Sequence, residues 1–170
     1  NPENPITNVR TFGSDPDRII AMAKGYIDAC RERHIATTIK HFPGDGVDYR
    51  DQHLMSTVNS LSADEWYSTY GRIYKELIDY GAPTVMSAHI RQPALTRSIA
   101  PDIKDEDILP GSLSRELNEG VLRGKLGFNG VIVSDATQMV GFTCSMPRYK
   151  AVPTAIEHGV DIFLFTIDQK

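Results

Sequence analysis

The sequence predicts an α/β fold built on parallel βα repeats, and three observations carry that reading. Helix-like and strand-like segments alternate along the 170 residues. The four strand-like runs, IATTIKH, PTVMSAHI, GVIVSD and VDIFLFTID, are short, apolar and rich in Val and Ile, as strands covered on both faces are. Each run also ends on charged or titratable groups: Lys40-His41, His89, Asp135 and Asp168. Four strands cannot close a barrel, which leaves a small open sheet or half of a (β/α)8 barrel.

Each element has its own warrant. In GSDPDRIIAMAKGYIDACRERH, Ser14 is the expected N-cap, with Pro16 just inside and an acidic first turn. Ile19, Ala23, Ile27 and Cys30 then recur at helical spacing. The first strand follows and ends at His41. Residues 42–60 have no period and form a long loop, of the kind that is usually functional in a compact domain. Ser62 and Glu65 make a capping box for a second helix, which runs to Gly81 with a stripe of Trp66, Tyr70, Ile73 and Leu77. The second strand ends near His89, and a proline-containing loop leads to LSRELNEGVLRGKLG. In that helix Leu117, Val121 and Leu122 face inward and Gly127 marks the end. The third strand ends at Asp135. A short helix over about 149–158, broken early by Pro153, precedes the last strand.

Composition narrows the functional classes. With 41% hydrophobic and 24% charged residues the chain suits one globular domain. A net charge of −4 and dispersed Lys and Arg argue against nucleic acid. No apolar run is long enough to span a bilayer. Cys30 and Cys144 form neither a CxxC pair nor a disulfide framework, and Cys30 is expected to be a buried thiol. The opening NPENPITNVRTFG lacks a charged n-region and an apolar h-region, so it does not read as a signal peptide. It reads as a loop already in progress, and a cytoplasmic setting is expected over a secreted one.

The ionisable groups gather at the strand ends, where parallel α/β folds hold ligands. KHFPGDGVDYRDQH, residues 40–53, is the densest stretch. It resembles the amino-terminal barrel domain of glycoside hydrolase family 3, in its bacterial β-N-acetylglucosaminidase branch. Lys40 to Gly44 and Asp51-Gln52-His53 match two blocks of the family motif, and Gly127 to Asp135 resembles its strand ending in Ser-Asp. RTFGSDP, Arg10 to Pro16, and VMSAHI resemble two further blocks. Two positions depart from the pattern, which usually has histidine at Asp45 and serine or threonine at Gln52; neither is expected to move a proton.

The resemblance implies that residues 1–170 are the carboxy-terminal half of a TIM-type barrel, a partial catalytic domain without its early strands. Such barrels run to roughly 250 residues or more. It also implies a retaining hydrolase that removes terminal β-linked N-acetylglucosamine, as found in peptidoglycan fragments, chitin oligosaccharides or glycoproteins. Asp135 would be the nucleophile and His53 the general acid/base, oriented by Asp51. An imidazole titrating near 6.5 suits both proton transfers. Being neutral as a base, it also tolerates an anionic acceptor such as phosphate, so phosphorolysis stays open beside hydrolysis, as does a β-glucosidase-like specificity. Arg10, Lys40, His41 and His89 would bind the sugar, and Gly44 and Gly46 would let the loop close over it. No cofactor and no metal are expected.

A metal-dependent amidohydrolase-type barrel is the main rival, built from the same histidines and aspartates, but the chain has neither an HxH strand motif nor HExxH. A non-catalytic sugar binder would have no need of the Asp135 and Asp51/His53 set. The piece alone is expected to self-associate or to need the missing half, and it can be inactive by itself.

Overall fold

The computed structural model describes residues 3–165, so Asp168 and the end of the run VDIFLFTID lie outside the described residues. Helix α1 (Pro16–Arg31) is capped by Asp15, whose side chain accepts from the Arg18 N–H at 2.9 Å. The cap lies one residue after Ser14 because Pro16 then takes the first helical position, where its missing N–H costs nothing. Ile20 and Ile27 are buried, while Cys30 is only half-buried, less than expected for a core thiol. Strand β1 (Thr38–Phe42) begins three residues into the β-branched run, Ile35 being exposed. The peptide bonds Lys40–His41 and Phe42–Pro43 are cis.

After a short strand β2 (Thr57–Val58), the Ser62–Glu65 capping box starts α2 (Ala63–Trp66). A π-helical turn (Tyr67–Gly71) joins α2 to α3 (Arg72–Asp79). Strand β3 (Thr84–Ser87) is followed by a two-residue strand β4 (Ile90–Arg91) and by helix α4 (Pro93–Ile99), where the sequence reads as loop. Two 3₁₀ turns (Asp105–Asp107 and Gly111–Leu113) precede a π-helical segment (Glu116–Lys125) with Leu117, Val121 and Leu122 fully buried. Strand β5 (Val131–Ala136), α5 (Val140–Thr143), α6 (Arg148–Glu157) and β6 (Ile162–Leu164) complete the order. Pro153 sits inside α6 without ending it.

The main sheet pairs as the βα repeat requires, in the order β1-β3-β5-β6 with every neighbour parallel. Ile39 pairs with Val85, Val85 with Ile132, and Val133 with Ile162, so the carboxyl ends of the strands open on one side. Coverage of both faces holds for the inner strands only. At the edges Thr38 and Lys40 of β1 and Ile162 of β6 are exposed. The core joins the sheet to the helices through Phe42, Trp66, Tyr74, Val85, Leu117, Leu122, Ile132 and Phe142. Phe42 stands edge-on to both Trp66 and Tyr74, at 6.2 and 5.3 Å, a favoured aromatic geometry. Burial of that cluster fixes the end of β1, and so the start of the loop that follows it.

Candidate active site

The loop leaving β1 is tied down before it becomes irregular. The buried Trp66 Nε1–H donates to the Pro43 carbonyl at 2.5 Å, and Asn59 Nδ2 donates to the Gly44 carbonyl at 3.1 Å. Gly44 has φ +131°, and a Cβ there would stand 2.5 Å from the Tyr70 ring, so only glycine fits. The Tyr70 hydroxyl donates to the Asp45 carbonyl at 2.8 Å, and burial pushes that phenol up to about 12. Farther along, Asp48 binds Arg50 with both carboxylate oxygens and accepts the Val58 N–H at 2.9 Å. The Arg50 side chain holds the Asp48 carboxyl down to about 2.

The expected general acid/base and the residue expected to orient it meet on this loop. Asp51 Oδ1 lies 2.6 Å from His53 Nδ1 and also accepts the His53 backbone N–H at 2.8 Å. With Nδ1 taken by the carboxylate, Nε2 is the nitrogen left for a ligand. The imidazole is half exposed.

Beneath the loop, His41 stands between two carboxylates. Its Nδ1 is 3.5 Å from Asp45 Oδ2 and its Nε2 is 4.0 Å from Asp135 Oδ2. Burial holds the His41 ring below its ordinary titration range, against the pull of Asp135 and Asp45; Lys40 and Arg10 add to the lowering. Asp135, at the end of β5, accepts the Ala136 N–H at 2.8 Å, which fixes one carboxylate oxygen. Arg10 and Lys40, both exposed, share with His41 a cleft of about 830 Å³ between the amino-terminal segment and β1. His41 thus joins Asp135 to the charged groups of this cleft, whose lining includes Arg10, Lys40 and Asp45 but neither Asp135 nor His53.

His89 takes a supporting place. It is fully buried, with Nδ1 2.7 Å from Ser112 Oγ and Nε2 3.0 Å from the Ala136 carbonyl, so neither ring nitrogen is open to a sugar. Burial lowers its titration range, and the neutral ring it favours holds the backbone next to Asp135.

The two residues that depart from the family pattern, Gln52 and Asp45, and two residues of α5, Gly141 and Val140, have places here that no motif signals. Gln52 is buried between Asp51 and His53; its Nε2 donates to Asp45 Oδ2 at 3.1 Å and its Oε1 accepts the His89 N–H at 3.1 Å. Burial raises the Asp45 carboxyl above its ordinary range, an effect that His41 and the hydrogen bonds from Gly46 and Gln52 oppose. The two departures from the motif are therefore bonded to each other, a signal visible in the sequence only as a pair of unusual residues. Gly141, in α5, donates its N–H to the Gln52 carbonyl at 3.1 Å, and Val140 donates to the His53 carbonyl at 3.1 Å. Among the described residues, no group of three or more His, Cys, Asp or Glu is arranged to hold a metal ion, and no helix is long and apolar enough to cross a membrane.

Known proteins share this arrangement of strands. The model of the glycosyl hydrolase family 3 N terminal domain matches residues 1–170. A beta-N-acetylglucosaminidase/beta-glucosidase from Cellulomonas fimi is 49% identical over 163 residues, which cover 96% of this chain and 29% of the relative. Beta-hexosaminidase A from Pseudoalteromonas piscicida is 30% identical, over 98% of this chain and 28% of the relative. Among solved structures, beta-glucoside phosphorylase BglX superposes with a TM-score of 0.97 at 68% identity, over 99% of this chain and 30% of that one. A family 3 beta-N-acetylglucosaminidase from Paenibacillus sp. str. FPU-7 superposes with a TM-score of 0.86 at 28% identity, over 96% of this chain and 30% of that one. The chain thus spans about 30% of the length of these relatives.

Proposed function

The chain belongs to glycosyl hydrolase family 3, and on that premise we propose that the complete protein cleaves terminal β-linked glucosyl or N-acetylglucosaminyl units by a retaining double displacement. The observation that carries the reading is the 2.6 Å contact between Asp51 and His53 Nδ1, which frees His53 Nε2 for proton transfer.

In the first step a carboxylate oxygen of Asp135 forms a bond to the anomeric carbon. The glycosidic C–O bond breaks, and its electron pair stays on the leaving oxygen, which takes the proton from His53 Nε2. Asp51 steadies the imidazolium before that transfer, as the acid of a triad does. In the second step an acceptor oxygen attacks the same carbon and the bond to Asp135 breaks, returning its electron pair to the carboxylate. If the acceptor is water, His53 takes its proton. His41, Lys40 and Arg10 donate to sugar hydroxyls, whose hydrogen bonds strengthen as charge develops on the ring.

Phosphorolysis is the second reading, and a specific likeness favours it: the 68% identical structure is that of a beta-glucoside phosphorylase. A neutral imidazole in place of a carboxylate base leaves an incoming phosphate dianion unrepelled, so the product would be the sugar 1-phosphate. Incubating the complete enzyme with a 2-deoxy-2-fluoroglycosyl fluoride and mapping the added mass should place it on Asp135. Chasing the adduct in phosphate buffer then separates free sugar from sugar 1-phosphate. An adduct on another residue, or none, would overturn the assignment of the nucleophile.

A further inference from the structure

Residues 51–54 form a turn, closed by the Leu54 N–H donating to the Asp51 carbonyl at 3.0 Å. Within it the Asp51 and His53 side chains meet, and the side chain between them is the anchor. Gln52 is only 2% exposed, and it is held at three points: Asp45 through Nε2, the His89 N–H through Oε1, and the Gly141 N–H through its carbonyl. The residues that follow, His53, Leu54 and Met55, are exposed. Asp45 in turn is the carboxylate beside His41, whose other nitrogen faces Asp135.

We propose that Asp45 and Gln52 form a clasp whose job is positional: it holds the acid/base loop at a fixed height above the nucleophile. Neither residue touches the reacting atoms; both act through His53, so the proposal rests on the acid/base reading of His53. The donor and acceptor assignments are fully determined by their surroundings. Gln52 Oε1 is committed to a backbone N–H, which forces Nε2 toward Asp45. Asp45 Oδ1 is committed to the Gly46 N–H at 2.8 Å, which leaves Oδ2 for Gln52. A carboxylate is the one group of this size that accepts at both places.

That polarity gives a reciprocal test in the complete enzyme. In Gln52→Glu two carboxylates face each other and the clasp opens. In Asp45→Asn one oxygen is replaced by a donor, which meets either the Gly46 N–H or the Gln52 amide. In the double variant Asp45→Asn/Gln52→Glu the pair is restored with its direction reversed. The amide now at position 45 donates to the carboxylate now at position 52, whose other oxygen still accepts from His89.

Two substrates read the result, an alkyl β-glycoside that needs a proton on its leaving oxygen and a 2,4-dinitrophenyl β-glycoside that does not. Gln52→Glu should lose about ten-fold or more in kcat/KM on the alkyl glycoside, a part of what general acid catalysis contributes, and less than about three-fold on the aryl one. The double variant should bring the ratio of the two kcat/KM values back to within about three-fold of wild type, while keeping any KM increase that both substrates share through His41. Because Asp45 also stands beside His41, Asp45→Asn alone is expected to raise KM for both substrates as well.

If Gln52→Glu fails to fold, Gln52→Met removes both side-chain hydrogen bonds at similar volume and is read on the same pair of substrates. Equal loss on both substrates for the Gln52 variants, no loss on either, or a double variant no better than the singles would overturn the clasp. His53→Ala serves as the reference. Selective loss there beside unselective Gln52 variants would sink the clasp and leave the acid/base reading standing. Unselective loss for His53→Ala itself would remove that reading and the clasp with it.

Discussion

Replacing Gly141 by alanine sets a methyl group against the seam between α5 and the acid/base loop. The new Cβ would lie 2.8 Å from His89 Cβ, 2.9 Å from the Gln52 carbonyl oxygen and 3.2 Å from the His89 carbonyl oxygen. The first two fall about 0.5–0.6 Å short of ordinary van der Waals separation, and none of the three atoms can be moved by turning a side chain. Overpacking of this kind costs about 1–3 kcal/mol. The strain is relieved by moving α5 and the loop apart, which stretches the 3.1 Å bonds from Gly141 to Gln52 and from Val140 to His53. Since a displacement near 1 Å of a catalytic group costs roughly a hundred-fold, kcat/KM on an alkyl β-glycoside should fall roughly ten- to hundred-fold. The assay is steady-state turnover of the complete enzyme, wild type and Gly141→Ala, each in the native and the His53→Ala background, with thermal unfolding alongside. In the His53→Ala background the same substitution should cost far less, because the group being displaced is already gone. Activity within two-fold of wild type together with an unchanged melting midpoint would refute the steric argument. An equal loss in both backgrounds would show that the strain acts elsewhere.

Asp135→Ala in the complete enzyme should abolish turnover, while Asp135→Gly given an activated glycosyl fluoride and azide should recover part of it; wild-type-like cleavage by Asp135→Ala would remove this residue from the mechanism. Asp48, held down to about 2 beside Arg50, stabilises the fold above about pH 4 and loses that effect as pH falls toward 2, where the folded carboxylate takes up its proton. Asp48→Asn should therefore cost roughly 1–3 kcal/mol at neutral pH, with the gap to wild type closing in acid denaturation near pH 2; a gap independent of pH would refute the charge-based account. The isolated 170-residue piece should self-associate in light scattering, since β1 and β6 are sheet edges and Tyr26, Ile35 and Ile162 are exposed apolar groups. A dispersed monomer would contradict this.

The βα order, the strand ends and the Ser62–Glu65 cap were legible because each rests on local chemistry that repeats: a period, a cap, a titratable group where an apolar run stops. The elements that escaped are those without such a signal. Strands β2 and β4 are two residues each, too short for an alternation to register. Helix α4 follows Gln92, an uncommon N-cap whose Oε1 accepts the Leu95 N–H at 2.9 Å, so Pro93 read as loop although it stands at the first helical position. The π-helical segment 116–125 keeps Leu117, Val121 and Leu122 inward, and its apolar spacing is indistinguishable from that of an α-helix. In the site, the acid/base roles of Asp51 and His53 come from the resemblance of Asp51-Gln52-His53 to a family block, and their 2.6 Å contact needs no help from the rest of the chain because the two residues stand two apart. The roles of Gln52 and Asp45 were not legible, since they depend on a contact across seven positions that only the turn at Gly44 and Gly46 creates. His89 ends an apolar run and so reads as a pocket residue; its burial against Ser112 and Ala136 comes from a loop and a strand far along the chain.

The pairing of β2 with β4 bears on how this site can be re-engineered. Thr57 and Val58 lie alongside Ile90 and Arg91, and the Asn59 N–H continues the pairing with a 2.8 Å bond to the Arg91 carbonyl. Next to it, Gln92 Nε2 donates to the Leu61 carbonyl at 2.8 Å. The loop over residues 43–58 is therefore no exchangeable cassette: a graft of it into another barrel has to bring residues 89–92 and 140–141 along, or the return strand loses its partner. Tyr49, Leu54 and Met55, by contrast, have exposed side chains that take no part in these ties. They are the positions at which a library can alter the surface of the loop while the loop keeps its seat.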